Sequence, residues 1–188
     1  MKKLKIHPTK IDLGCGKYKK QGFFGVDLFN GPEVDLVLDI NKKLPFRDNS
    51  VEELYTSHVL EHIGDLLSVM SEIHRICKPG AKVIIRVPHF SGVSGFYEFH
   101  KRFFRYNSFQ DFMQVKENMF ISDKPIKFKV IKRMIKFDKR YYVPWNYILE
   151  FLMKDSKKLS LLYEETGLRN LFPARELYFE LKVIKDYK

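Results

Sequence analysis

The sequence predicts an α/β fold built on a mostly parallel sheet, and three observations carry that prediction. Short apolar runs of strand length alternate with a segment of helical period. The first run stops at Gly14-Cys15-Gly16, a turn that lets backbone approach whatever lies beyond the strand. The second and third runs end on acids, Asp27 and Asp39. Glycines and carboxylates thus gather at the carboxyl edge of the sheet, where open α/β folds bind ligands.

Five runs read as strands, over residues 10–13, 22–27, 34–39, 53–57 and 81–88. They are β-branched or aromatic and bounded by Gly, Pro or Asp, as buried parallel strands are. Between the last two lies a helix. Asp65 can cap it, and Leu66, Met70, Ile73 and Cys77 recur at helical spacing beside Val69 and Ile76. Lys78-Pro79-Gly80 ends it. The ten residues between Gly16 and Asp27 barely fit a helix, so a short element or a loop is expected there. Residues 90–106 are aromatic without a clear period. A helix is expected from Ser108 to about residue 118, a long strand over 126–138, an amphipathic helix over 145–165 packed on the sheet, and a last strand over 176–185. No repeat or long linker divides the chain, so residues 1–188 read as one domain with an elaborated second half.

Composition narrows the classes. The chain has 188 residues, 45% hydrophobic and 15% aromatic, which excludes a disordered chain and permits a core without staples. Cys15 and Cys77 lie far apart and form no CxxC pair, which points to a reducing, cytoplasmic setting and no structural zinc knot. The basic N-terminus leads into no apolar stretch, so no secretory signal is expected. No apolar run approaches the roughly 18 residues of a membrane span. The net charge of +11 is uneven. Residues 1–100 hold 14 Lys+Arg against 12 Asp+Glu, and residues 101–188 hold 20 against 11, or +2 against +9. The second half is either a lysine-rich solvated surface or a face for an anionic partner such as nucleic acid.

Five motifs now stand in order: Asp12-Leu13-Gly14-Cys15-Gly16, Asp27, Asp39 with Leu44-Pro45-Phe46, Ser57-His58-Val59-Leu60-Glu61-His62, and Arg75-Ile76-Cys77-Lys78-Pro79-Gly80. Together they resemble the class I S-adenosylmethionine-dependent methyltransferases, and in particular the type 11 subgroup, over about residues 10–90. The third glycine of a dinucleotide-binding GxGxxG is replaced by Lys19, which disfavours a dehydrogenase. The resemblance implies a Rossmann-like class I methyltransferase fold, with a mostly parallel sheet, an antiparallel last strand and helices on both faces. Residues 10–90 would then form the cofactor-binding half and 91–188 a substrate-side half with a lid and C-terminal strands. The implied cofactor is S-adenosylmethionine, leaving as S-adenosylhomocysteine. Gly14, Cys15 and Gly16, next to Asp12, would line its methionine end. Asp27, followed by Leu28, would bind the ribose diol. Asp39 and the backbone of Ile40 would sit near the adenine, and Ser57 and His58 would approach the methionine moiety.

The stretch His58-Val59-Leu60-Glu61-His62 also spells H-x-x-E-H, the pattern of inverted zinc proteases. That chemistry needs both histidines on one continuous helix, and Gly64-Asp65 interrupts any helix just after His62. No metal ligand is assigned. Methyl transfer needs a general base only for a protonated acceptor. His100, in the aromatic stretch Glu98-Phe99-His100-Lys101-Arg102-Phe103-Phe104, and His89, after the fifth strand, are the candidates. The expected function is methyl transfer to a small-molecule acceptor of sugar or sugar-nucleotide type. The alternatives are an RNA or protein methyltransferase using the basic half, and a non-catalytic binding protein on the same fold. The segment 141–163 can also supply a substrate lid, a homodimer face or a membrane-surface helix.

Overall fold

The computed structural model describes residues 7–110, 126–139 and 143–185. The first apolar run becomes strand β1 (Lys10–Leu13), with Ile11 and Leu13 fully buried. It lies between β2 (Phe24–Asp27) and β4 (Val51–Ser57), both parallel to it. The short β3 (Leu36–Val37) edges β2, and β5 (Cys77–Pro88) lies beside β4. The last strand, β7 (Glu176–Ile184), inserts antiparallel between β5 and β6 (Lys127–Lys136). The seven-stranded order is β3-β2-β1-β4-β5-β7-β6. Only β7 runs against its neighbours, so the sheet is mostly parallel with an antiparallel last strand, as expected.

One face of this sheet is largely apolar. Ile11, Leu13, Val26, Leu54, Val83, Ile85, Leu177, Phe179 and Leu181 share it by register, and all are buried. Burying each such side chain contributes about 2 kcal/mol over leaving it in water. Helix α1 (Leu66–Ile76) supplies Met70, Ile73 and Ile76 to this core, and its His74 ring meets Phe128 edge-on at 5.4 Å. Asp65 caps α1 as expected, accepting from Ser68 N at 3.0 Å. The other face alternates Lys10, Glu53, Tyr55, Lys82, Arg86, Tyr178, Glu180 and Lys182, all exposed or half-buried. Residues 14–23 and 28–35 contain no helix, the outcome the short spacing requires.

Several boundaries differ from the sequence reading. The third run pairs only at Leu36–Val37, because Asp35 turns to accept from Gly25 N (2.7 Å) and Asp39 caps the turn at Asn41 N (3.0 Å). Strand β5 reaches back through Pro79 to Cys77, which pairs Val51 before a register shift. The expected helix over 145–165 is two helices, α2 (Pro144–Met153) and α3 (Lys157–Glu165). Ser156 breaks the run by capping α3 through Leu159 N, and α4 (Leu168–Leu171) follows. Helix α2 does not lay its apolar face on the sheet. Glu150 and Met153 are buried, while Trp145, Ile148, Phe151 and Leu152 stay exposed. A helix begins at Ser108, and the rest of its expected span, 111–118, lies outside the described residues. Among the described residues no helix is long and apolar enough to cross a membrane.

Candidate functional site

The carboxyl ends of β1, β2 and β4 open into one cleft of about 850 Å³. Its walls hold every residue the sequence placed at the cofactor. Asp12, Gly14, Cys15 and Gly16 come from the first strand and its turn, and Asp27 and Leu28 from the end of the second. Asp39 and Ile40 follow the third, and Ser57 and His58 end the fourth.

The glycine turn is held from several sides. Gly14 N and Cys15 N both donate to Val26 O, at 2.7 and 3.1 Å, locking the turn to β2. Gly14 sits at φ 78°, and an added Cβ there would drive into Val59 Cγ2, so this position is closed to any side chain. Gly16 N donates to Asp27 Oδ2 (2.8 Å), and Phe29 N donates to Asp27 Oδ1 (3.1 Å). Each carboxylate oxygen has a second lone pair left for a ligand. Asp12 is buried and accepts from Lys20 N at 2.7 Å. Burial raises its carboxyl above the usual range, with the Lys20 contact pulling the other way. Asp39 is held low by the Asn41 side chain and backbone. Cys15 is a wall, not a nucleophile: burial pushes its thiol up to about 11.

At the other end of the cleft the backbone of His58 is left-handed, with φ 56°. His58 Nε2 lies 3.3 Å from Glu176 Oε2, and its Nδ1 lies 3.4 Å from Glu61 Oε1. The Glu176 and Glu61 carboxylates push the imidazole up to about 9, despite desolvation. Arg86 Nη2 donates to both Glu176 carboxylate oxygens, at 2.7 and 2.9 Å, and its Nη1 donates to Tyr55 Oη at 3.2 Å. Tyr55 and Arg86 line the cleft, as do His62, Ile63 and Lys101. The sequence reading passed over these. One signal for Arg86 was present: a lone charge in the apolar run Val83-Ile84-Ile85-Arg86-Val87.

The two base candidates have separate fates. His89 is fully buried and does not line the cleft. Its Nε2 meets Glu164 Oε1 and its Nδ1 meets Ser91 Oγ, both at 2.9 Å. Both ring nitrogens are engaged, so its geometry is that of a packing residue and not of a base facing substrate. His100 lies nearer the cleft, its ring edge-on to that of His62 at 4.7 Å. The H-x-x-E-H reading lacks its helix. Left-handed His58 ends a strand, and only a 3-10 turn, Leu60–His62, precedes the break before α1.

The residues fit S-adenosylmethionine. The turn has glycine where a Cβ would collide, a part-exposed carboxylate ends β2, and Leu28, Leu38 and Ile40 give an apolar wall. Comparison with known proteins points the same way. The family described as "Methyltransferase domain" (type 11) matches residues 17–85. A demethylmenaquinone methyltransferase of Anoxybacillus flavithermus is 29% identical over 96 residues, which is 51% of this chain and 37% of that protein. The chain spans 37%, 32% and 42% of the length of three curated relatives it matches. Among solved structures, a methyltransferase in complex with the Trm112 activator of Haloferax volcanii aligns at TM-score 0.59 and 17% identity, over 97% of this chain and 84% of that one. A SAM-dependent methyltransferase from Archaeoglobus fulgidus aligns at 0.55 and 18%, over 92% and 85%. These two likenesses speak to the fold. Residues 17–85 therefore match the type 11 methyltransferase domain, within a chain that has the fold of the S-adenosylmethionine-dependent methyltransferases.

Proposed function

We propose that this chain is an S-adenosylmethionine-dependent methyltransferase for a small-molecule acceptor with a hydroxylated ring. The observation that supports it is the convergence of the glycine turn, Asp27 and Asp39 on one cleft. Residues 10–90 act as the cofactor half and 91–188 as the substrate side. Asp27 accepts from the ribose hydroxyls, and Leu28, Leu38 and Ile40 flank the adenine beside Asp39. Gly14 and Gly16 admit the methionine end, with Ser57 and His58 opposite. Arg86 and Lys101 offer positive charge to its carboxylate. When bound, the cofactor supplies an electrophilic methyl group. The chain's own part is to orient the acceptor and exclude water.

Phe96, Tyr97, Phe99 and Phe103 stand 53–70% exposed on the segment that carries His100. Such a rim suits stacking on a ring, whether of a sugar or a phenol. The name of the Anoxybacillus flavithermus relative agrees with a ring acceptor. Of the two histidines, His100 and not His89 is the one we assign to the acceptor side, beside His62 of the cleft wall. The test is transfer of labelled methyl from S-adenosylmethionine to a panel of quinols, phenols and sugars. Transfer that is lost in Asp27→Ala supports the reading. Tight S-adenosylhomocysteine binding without transfer to any acceptor supports the non-catalytic alternative.

A second reading has an observation of its own. Lys127, Lys129, Lys132, Lys154 and Lys157 are all exposed in the basic second half. An RNA acceptor would show binding that weakens steeply with salt. The exposed apolar side of α2 is the place for a homodimer contact, read by sedimentation.

A further inference from the structure

Glu61 presents a problem that the chain does not solve by itself. Its side chain is fully buried, and neither carboxylate oxygen has a hydrogen-bond partner. Its ion pair with His58 Nδ1 spans 3.4 Å without hydrogen-bond geometry, and His58 is shared with Glu176. A buried carboxylate left this way costs several kcal/mol. Beside it lies a second orphan. His100 Nδ1 is buried without a hydrogen-bond partner. His62 completes the group, its ring edge-on to His100 at 4.7 Å.

We propose that Glu61, His62 and His100 bind a divalent transition-metal ion of the zinc class. One ligand atom from each lies within 4.8 Å of the others. A tetrahedral zinc sphere with bonds of about 2.0–2.1 Å puts its ligands about 3.4 Å apart, so small side-chain rotations close the site. Two imidazoles and a carboxylate are a known catalytic donor set, with a further position left open. The outer contacts already orient the ligands. His62 Nδ1 points to Phe99 O at 3.4 Å, which leaves Nε2 with its lone pair free. On His100 the buried, unpartnered Nδ1 is the nitrogen left for the metal. Gly95 lets that segment pack closely: a Cβ there would come within 2.5 Å of His89 O. His62 and Lys101 line the cleft, so an added ligand reaches the metal from the cleft side. An acceptor hydroxyl bound there loses its proton more easily. That last role rests on the methyltransferase reading, whereas the metal site does not.

The test uses the full chain stripped with chelator, then titrated with Zn²⁺ by calorimetry and with Co²⁺ by visible absorption. The expected result is one equivalent bound, with the absorption bands of four- or five-coordinate Co²⁺. His100→Ala, on a half-buried loop position, should weaken the metal at least 100-fold while S-adenosylhomocysteine binds as before. Glu61→Gln should weaken it as much, and exposed His7→Ala should change nothing. Wild-type protein that takes up no stoichiometric metal overturns the proposal, as does an unchanged affinity in His100→Ala. One metal bound with no S-adenosylhomocysteine keeps the metal site and removes the methyltransferase reading. Cofactor bound with no metal does the reverse.

Discussion

The two ends of the cleft are finished to different degrees. At the glycine end the carboxylates are already answered. Asp12 holds Lys20 N, Asp27 holds Gly16 N and Phe29 N, and Asp35 holds Gly25 N. At the histidine end, Glu61 and His100 bury polar atoms with no partner. The difference teaches what each end is for. A turn that must present backbone to a large ligand is stiffened in advance, which limits the ordering cost of binding. The cluster proposed to take a small cation keeps the donor atoms of Glu61 and His100 without hydrogen bonds inside the chain.

The sharpest way to break this contrast is Gly14→Ala. Left-handed strain and the collision with Val59 together should cost about 3 kcal/mol, read as a lower urea midpoint. Adding Val59→Ala should return the packing part and not the strain. Next comes His89→Ala, which leaves buried Glu164 with Tyr106 N but without the imidazole and should cost about 2–3 kcal/mol. Cofactor affinity should stay within a few-fold of wild type, since His89 does not line the cleft. A large loss of affinity at unchanged stability would return His89 to the site.

The smallest effect expected is on acid stability. Burial would raise Glu72, but the Arg75 guanidinium and Leu44 N outweigh it and hold the carboxyl low. Arg75 itself binds Glu72, Asp48 and the carbonyls of Leu44 and Phe46, tying 44–48 to α1. A carboxyl held below its unfolded value stabilises the fold above that value, and loses the contribution as pH falls through the folded one. Arg75→Met should therefore cost about 1 kcal/mol at pH 7 and less near pH 3, by denaturant titration at both.

Much of this molecule was legible in the sequence because its signals are local. Gly14 and Gly16 follow directly on Leu13, Asp65 caps three residues ahead of Ser68, and acids end strands. These rules place β1 and α1, and the ten residues that the sequence reading assigned to the cofactor line one cleft. Longer contacts were not legible. His100 meets His62 across 38 residues of chain, and Arg86 meets Glu176 across 90. Nothing in either segment names its partner. The H-x-x-E-H string pointed at metal by the wrong route. It assumed a helix through His58, whereas the structure turns at His58 and brings in His100 instead. The run 145–165 failed for a similar reason, since helical period continues across Ser156 although the hydroxyl caps a new helix there.

The central claim is that the cleft at the ends of β1, β2 and β4 holds S-adenosylmethionine through Asp27. Calorimetric titration with S-adenosylhomocysteine tests it most directly, on wild type and on Asp27→Ala. The expected result is one site in wild type, with affinity about 30-fold weaker in the variant, the loss of hydrogen bonds to a charged group worth about 2 kcal/mol. No binding to the wild-type chain, or equal binding to both, would contradict it.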